Sequence, residues 1–173
     1  MKRALLPLAL ASVLEAGMVA GLRYGQVSQN GELSGVASQK EEALGAGAIV
    51  GYDGGNFRVV LTHDDPGFEK PAQASITALG VHLIDYEDPD IRGFLGLGAG
   101  QMSYRHSAQS ASDSAIEVDL YGIEVGLILL DDRFKGMQME LGYRYFKTYG
   151  DQPAGLELTT VSHAYVGLSV DLF

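Results

Sequence analysis

The sequence predicts an all-β fold, an eight-stranded antiparallel up-and-down transmembrane β-barrel, on three observations. Beyond Gly17 the apolar residues recur at every second position, the period of strands and not of helices. The connections between these segments alternate between long and tight, as they do when hairpins have loops on one side and turns on the other. In most segments one face is oily and the other is small or charged, the reverse of what a water-covered sheet would carry.

The segments run over 17–25, 43–52, 57–63, 74–86, 92–105, 115–130, 137–148 and 158–173, straddling the ~9–11 residues that cross a bilayer as tilted strands. Long connections fall at 26–41, 64–73, 106–114 and 149–157. Tight ones fall at Asp53-Gly54-Gly55-Asn56, Glu87-Asp88-Pro89-Asp90-Ile91 and 131–136. Gly54-Gly55 can take positive φ, and Pro89 fixes its own while removing a donor. Segment seven sets Met137, Met139, Leu141, Tyr143 and Tyr145 against Gln138, Glu140, Gly142, Arg144 and Phe146. Segments two, six and eight divide in the same way, with glycine recurring on the inner face. In segment five Leu95 and Leu97 compete with Phe94 and Met102 for the outside. Eight strands in hydrocarbon must satisfy every backbone N–H and C=O among themselves, and a closed barrel does so. Its oily face meets acyl chains, and its lumen has room for glycine and paired charges. Tyr52 and Tyr86 at the tight-turn ends, with Tyr104, Tyr121 and Tyr149 near the long-loop ends, read as interfacial girdles.

Composition narrows the classes. The 173 residues suit one domain, and 12 Lys+Arg against 22 Asp+Glu give a net charge of −10, which excludes a basic nucleic-acid footprint. Without cysteine there is no disulfide framework, cysteine-ligated metal site or thiol nucleophile. The 23 glycines are roughly double the usual ~7% share but follow no collagen period. Met1-Lys2-Arg3 precedes an apolar stretch, Ala4 to Leu14, that ends at Leu14-Glu15-Ala16, a secretory signal pattern. The expected organisation is a signal peptide over 1–16 and a barrel domain over 17–173. Cleavage there would leave the protein one charge more negative. A membrane anchor over Ala4 to Leu22 is the competing reading, interrupted by Pro7 and Glu15.

These features together resemble the small eight-stranded outer-membrane barrels of Gram-negative bacteria, of OmpA type and OmpX type, over essentially all of 17–173. The likeness is carried by the signal-like start, the eight alternating segments, Gly96-Leu97-Gly98-Ala99-Gly100, the Glu140-Leu141-Gly142-Tyr143-Arg144-Tyr145 strand and an end on Phe173. It implies a multi-pass outer-membrane protein, in contact with outer-membrane lipid and lipopolysaccharide, and a monomer with no cofactor. It also implies a last strand, Val166, Leu168, Val170, Leu172 and Phe173, read by the barrel-insertion machinery. Such families commonly carry an aromatic residue two places before the end, where this chain has Asp171.

Arg23, Arg58, His82, Glu124, Glu140 and Arg144 are expected to face inward as a lumen charge network. Opposite charges taken out of water must pair, and Glu140 with Arg144 is the expected pair. A gated pore and structural filling both fit, and the narrow lumen of eight strands favours filling. Glu87-Asp88-Pro89-Asp90 and His63-Asp64-Asp65 are candidate cation sites, though solvated turns explain them better. Gly96, Gly98 and Gly100 fail the dinucleotide pattern because the third glycine comes one position early and no helix follows. Arg105-His106-Ser107 and Ser162-His163 put histidine next to serine, on opposite faces of a strand, so no catalytic or metal residues are assigned and no enzyme is expected. The expected function is structural or surface interaction by a barrel with a filled lumen. The alternatives are a soluble exported lipocalin-like barrel with its oily faces turned inward on a small apolar ligand, a narrow-pore channel or a lipid-modifying enzyme.

Overall fold

A computed structural model describes residues 17–33, 39–68, 73–85, 87–88, 90–105, 115–130, 136–150, 152 and 156–172. The alternating segments form eight strands: β1 Gly17–Leu33, β2 Gln39–Asp53, β3 Phe57–Pro66, β4 Gln73–Ile84, β5 Ile91–Arg105, β6 Ile116–Leu130, β7 Met137–Tyr149 and β8 Leu156–Asp171. Each pairs antiparallel with the next, and β1 closes on β8 from Val19 opposite Asp171 to Leu33 opposite Leu156. The one irregularity in that seam is a register shift at Asn30/Gly31. Along the lower barrel closure leaves no strand edge, so the ladders there satisfy the backbone without water. The tight turns carry the expected chemistry: Gly55 sits at φ +82°, Gly136 at φ +80°, and the Gly54 amide donates to the Phe57 carbonyl at 2.9 Å. The proposed signal peptide, Tyr86 and Phe173 lie outside the described residues.

Two expectations change. The first long connection is mostly strand: β1 runs on to Leu33 and β2 begins at Gln39, so 28–31 pair with 39–42 instead of forming a loop. Segment three likewise runs on, which places Asp64 and Asp65 in β3 with His63.

The cause is a reversal of polarity along the barrel. From the tight-turn end upward the outward residues are apolar. On β6 they are Tyr121, Ile123, Val125, Leu127 and Leu129, and on β8 Ala164, Val166, Leu168, Val170 and Leu172. Leu22 is 71% exposed and Leu97 70%. Nine alternating positions at about 3.3 Å each, tilted by ~40°, give a belt roughly 20 Å tall, close to the ~25 Å of barrels in lipid. One outward position further up, every strand turns polar: Gln26, Glu42, His63, Thr77, Gln101, Asp119, Lys147 and Ser162. These side chains bond across strands, His63 with Thr77 at 2.8 Å, Gln26 to Glu42 at 2.9 Å and Gln101 to Asp119 at 3.2 Å.

The interior reverses at the same level. Beside the oily belt it is polar, and above it the buried side chains form one apolar cluster that includes Val27, Ile76, Met102, Val118, Leu120 and Phe146. A smaller apolar layer, Ile84, Phe94 and Ile128, closes part of the lumen near the tight turns. The oily faces thus point outward in the belt, opposite to what a lipocalin-like barrel requires. The exposed belt and closed ladder make this a transmembrane barrel whose upper third is built as a water-soluble one.

Candidate functional site

The polar part of the lumen begins with strand alternation, which turns Arg23 on β1, Arg58 on β3, His82 on β4, Glu124 on β6, and Glu140 and Arg144 on β7 to the inside. All six are buried, Arg58, His82 and Glu124 at 0% exposure. Glycines opposite them supply the room. A Cβ on Gly98 would lie 2.4 Å from Glu124 Oε1, and one on Gly142 would lie 2.4 Å from the Tyr165 hydroxyl. The inner-face glycines are therefore the space into which long side chains from other strands lie.

The pairing departs from expectation. Glu140 meets Arg58 across the lumen at 2.5 Å and accepts the Tyr165 hydroxyl at 2.5 Å, and its expected partner Arg144 turns elsewhere. Register explains it: Glu124 lies directly opposite Arg144 on the neighbouring strand, and the two meet at 3.0 Å. Two positions separated by four along a strand lie ~13 Å apart, too far for the shorter Glu140 to compete. His82 Nε2 completes this group at 2.9 Å from Glu124 Oε2, with its ring stacked on Phe94 at 4.7 Å between centroids.

Sequence reasoning missed the third carboxylate. Asp64, read within a candidate cation site or solvated turn, is 2% exposed and forms a two-pronged salt bridge with Arg23. Arg144 and His163 approach it at 3.8 and 3.7 Å. Strand alternation was the available signal, since it sends His63 and Asp65 outward and Asp64 in. Tyr165 was missed as well. Its ring lies beneath two guanidiniums, Arg23 at 5.1 Å and Arg144 at 5.3 Å, a cation–π arrangement that ties both groups together. Thr62 accepts from Arg144 at 2.9 Å. Three arginines, three carboxylates, two histidines and a tyrosine thus form one connected, charge-balanced network.

The expected girdle divides. Tyr121 is 52% exposed and Tyr149 70%, their rings edge to face at 6.5 Å, and Tyr52 packs beside Phe57 at 6.0 Å near the tight turns. Tyr104 does not join them. It is 1% exposed inside the upper barrel, because β5 places even positions inward. Its hydroxyl donates to Glu41 at 2.7 Å, and Gln29 donates to the same carboxylate at 2.8 Å, which makes a polar rim over the apolar cluster. Burial, then the Glu41 hydrogen bond, pushes the Tyr104 phenol up from its ordinary pKa and keeps it a donor. Of the expected insertion strand, Val166, Leu168, Val170 and Leu172 all face outward.

Of the other candidate sites, His106 and Ser107 lie outside the described residues. Asp88 Oδ1 accepts from the Asp90 and Ile91 amides at 2.8 and 3.0 Å, so that carboxylate caps its own turn. Ser162 and His163 lie on opposite faces of β8. Among the described residues no group of three or more His, Asp or Glu could hold a metal ion.

No known family model matches the chain, and no curated protein matches it by sequence. Solved structures do match its fold. Neisserial surface protein A (NspA) superposes with a TM-score of 0.65 at 15% identity, over 91% of this chain and 99% of that one. The fold is that of the small outer-membrane barrels. The N-terminal β-barrel domain of Pseudomonas aeruginosa OprF follows, with a TM-score of 0.59 at 12% identity over 88% of this chain and 97% of that one. The outer membrane protein OprG from Pseudomonas aeruginosa gives 0.56 at 12% identity over 90% and 96%. At these identities the likeness is one of architecture, while the network above belongs to this chain's own residues.

Proposed function

We propose that this chain is an integral outer-membrane barrel of a Gram-negative cell whose lumen is sealed, and whose work is done by its outer surface in contact with lipopolysaccharide or another surface partner. The observation that carries this is the apolar cluster in the upper lumen. Met102, Tyr104, Phe146 and Val161 are 1% exposed or less, and an ion leaving the polar layer would have to shed its water to pass them. A pore would instead continue its polar lining to the rim. The charge network supports the same reading, since each of its carboxylates is engaged by an arginine and fixes strands to one another instead of facing a path. An acyl-transfer or hydrolytic role has less support, because Ser162 and His163 point apart and Thr62 is already bonded to Arg144. The last strand, with Val166, Leu168, Val170 and Leu172 outward, has the amphipathic form that insertion machinery would read.

Planar-bilayer recording on residues 17–173 tests the seal. The expected result is an absence of discrete conductance steps from a heat-modifiable, fully inserted barrel. Regular steps from such a barrel, altered when Met102 is shortened, would establish a channel.

A further inference from the structure

Above the polar ring the wall between β3 and β4 comes apart. The two strands pair as far as Asp64 opposite Ile76, one row past His63 and Thr77, and then part, although β3 continues to Pro66 and β4 begins at Gln73. The sequence supplies the cause. Pro66 brings no N–H to a ladder. The Gly67 amide donates to the Leu44 carbonyl on β2 at 2.9 Å, and Phe68 turns into the upper core with its ring edge-on to Tyr104 at 6.4 Å. The end of β3 is thus held to β2 and to the core, and a cleft of about 440 Å³ opens beside β4.

The chemistry of the cleft differs from that of the ring just below it. In the ring, His63 bonds Thr77 and Gln101 bonds Asp119 across the strands. One outward step higher the side chains face the cleft instead, Asp65 on its β3 wall, and on the other Ser75 opposite Ser103 and Gln73 opposite Arg105. None of these five has a hydrogen-bond or ion-pair partner among the described residues, and the Nε of Arg105 lies out of water without an acceptor. Pro66, Phe68 and Ala74, all buried, give the cleft an apolar floor. A carboxylate and a guanidinium therefore face one cleft unpaired, with a carboxamide and two hydroxyls beside them.

We propose that this cleft binds a short peptide with both termini free, its ammonium at Asp65, its carboxylate at Arg105 and its amides along Gln73, Ser75 and Ser103. A ligand with one charge would leave either Asp65 or Arg105 without a partner, and a ligand with both satisfies both. Size sets the length. Asp65 and Arg105 are two strand spacings apart, at least about 10 Å between backbones. A free amino acid carries both charges on one carbon and cannot touch both sides, whereas two or three residues at about 3.3 Å each can. The volume, about 440 Å³, falls within the range of small-ligand sites. The cleft lies at the long-loop end, so it rests on the outer-membrane reading for its access to the outside and goes further in naming what that surface takes.

Calorimetric titration of the full barrel in micelles with tri-alanine tests it. Tri-alanine is expected to bind at one site. Acetylating its amino end or amidating its carboxyl end should each weaken binding about five-fold, the effect of one charge-assisted contact in a half-exposed site. The losses should map onto residues: Asp65→Asn abolishes the effect of acetylation and keeps that of amidation, and Arg105→Gln does the reverse. Glu42→Gln, which removes an exposed carboxylate on β2 outside the cleft, should change neither. No binding at millimolar peptide, equal binding of the parent, acetylated and amidated forms, or unchanged losses in Asp65→Asn and Arg105→Gln would each overturn the site. Tighter binding of tri-galacturonate, which has acid and hydroxyl groups but no amine, would overturn it as well. Cell fractionation run alongside separates the two levels. A barrel in the outer membrane that binds no peptide would overturn the site alone, and a barrel that binds peptide but is absent from the outer membrane would overturn the reading.

Discussion

The lower and upper parts of this barrel obey opposite rules within the same strands. Below Tyr24, Leu61, Ala99 and Tyr121 the outside is oily and the inside holds Arg58–Glu140 and Arg144–Glu124. Above them the outside is laced by Gln101–Asp119 and His63–Thr77, and the inside is Val27, Ile76, Met102 and Val118. Solvent chooses the face. Where hydrocarbon surrounds the wall, apolar side chains cost nothing outside and charges survive only when paired within. Where water surrounds it, burying apolar area becomes favourable again at roughly 25 cal/mol per Å². The strand continues through the change because backbone pairing is indifferent to it. The eight β1 residues past Gly25 lift the rim roughly 20 Å beyond the belt.

Substitutions at matched positions should separate the two regimes. Glu140→Leu removes the carboxylate facing fully buried Arg58, and urea unfolding in lipid vesicles should register a loss of about 3–5 kcal/mol. An unchanged midpoint would place that pair outside the lumen. In the upper part the corresponding injury is to packing, so Met102→Ala should cost about 2–5 kcal/mol in the same assay. A neutral result there would mean the upper core is hydrated and the seal absent. Leu127→Arg puts a charge on the lipid face and should cost about 2–4 kcal/mol if it lies near the midplane, with slower insertion. Gln101→Arg makes the same kind of change above the belt, next to Asp119, and should stay within about 0.5 kcal/mol of the parent. Equal penalties for those two arginines would erase the boundary.

Most of the belt was legible in the sequence because its alternation is uninterrupted, as in Met137 to Tyr145, where each outward residue is apolar. The upper barrel was not, for a definite reason. Period two persists through β1, but its oily parity passes from the even residues Leu22 and Tyr24 to the odd residue Val27, and a reader following one oily face stops at Gly25. The same reversal explains the conflict in β5, where Leu95 and Leu97 face lipid while Met102 and Tyr104 face the upper core. In β6 it falls between Leu120 and Tyr121. The lumen residues followed from alternation, but their partners did not. Whether Glu140 meets Arg144 or Arg58 depends on register and on closure, which bring β3 and β7 together across 82 residues of sequence. Asp64 was hidden by its company, since two exposed polar neighbours make a strand look like a turn.

The reversal itself is the claim most open to direct measurement. The chain contains no cysteine, so single cysteines can be placed at Leu97, Ala99, Gln101 and Ser103 on β5 and at Leu61 and His63 on β3. Each would carry a nitroxide, and collision rates with oxygen and with a water-soluble nickel complex would be compared in vesicles. Leu61, Leu97 and Ala99 are expected to meet oxygen preferentially, and His63, Gln101 and Ser103 the nickel complex, with the change falling within one outward step on both strands. Oxygen preference continuing through Gln101 and His63, or a change at different heights on the two strands, would contradict a membrane boundary at that ring.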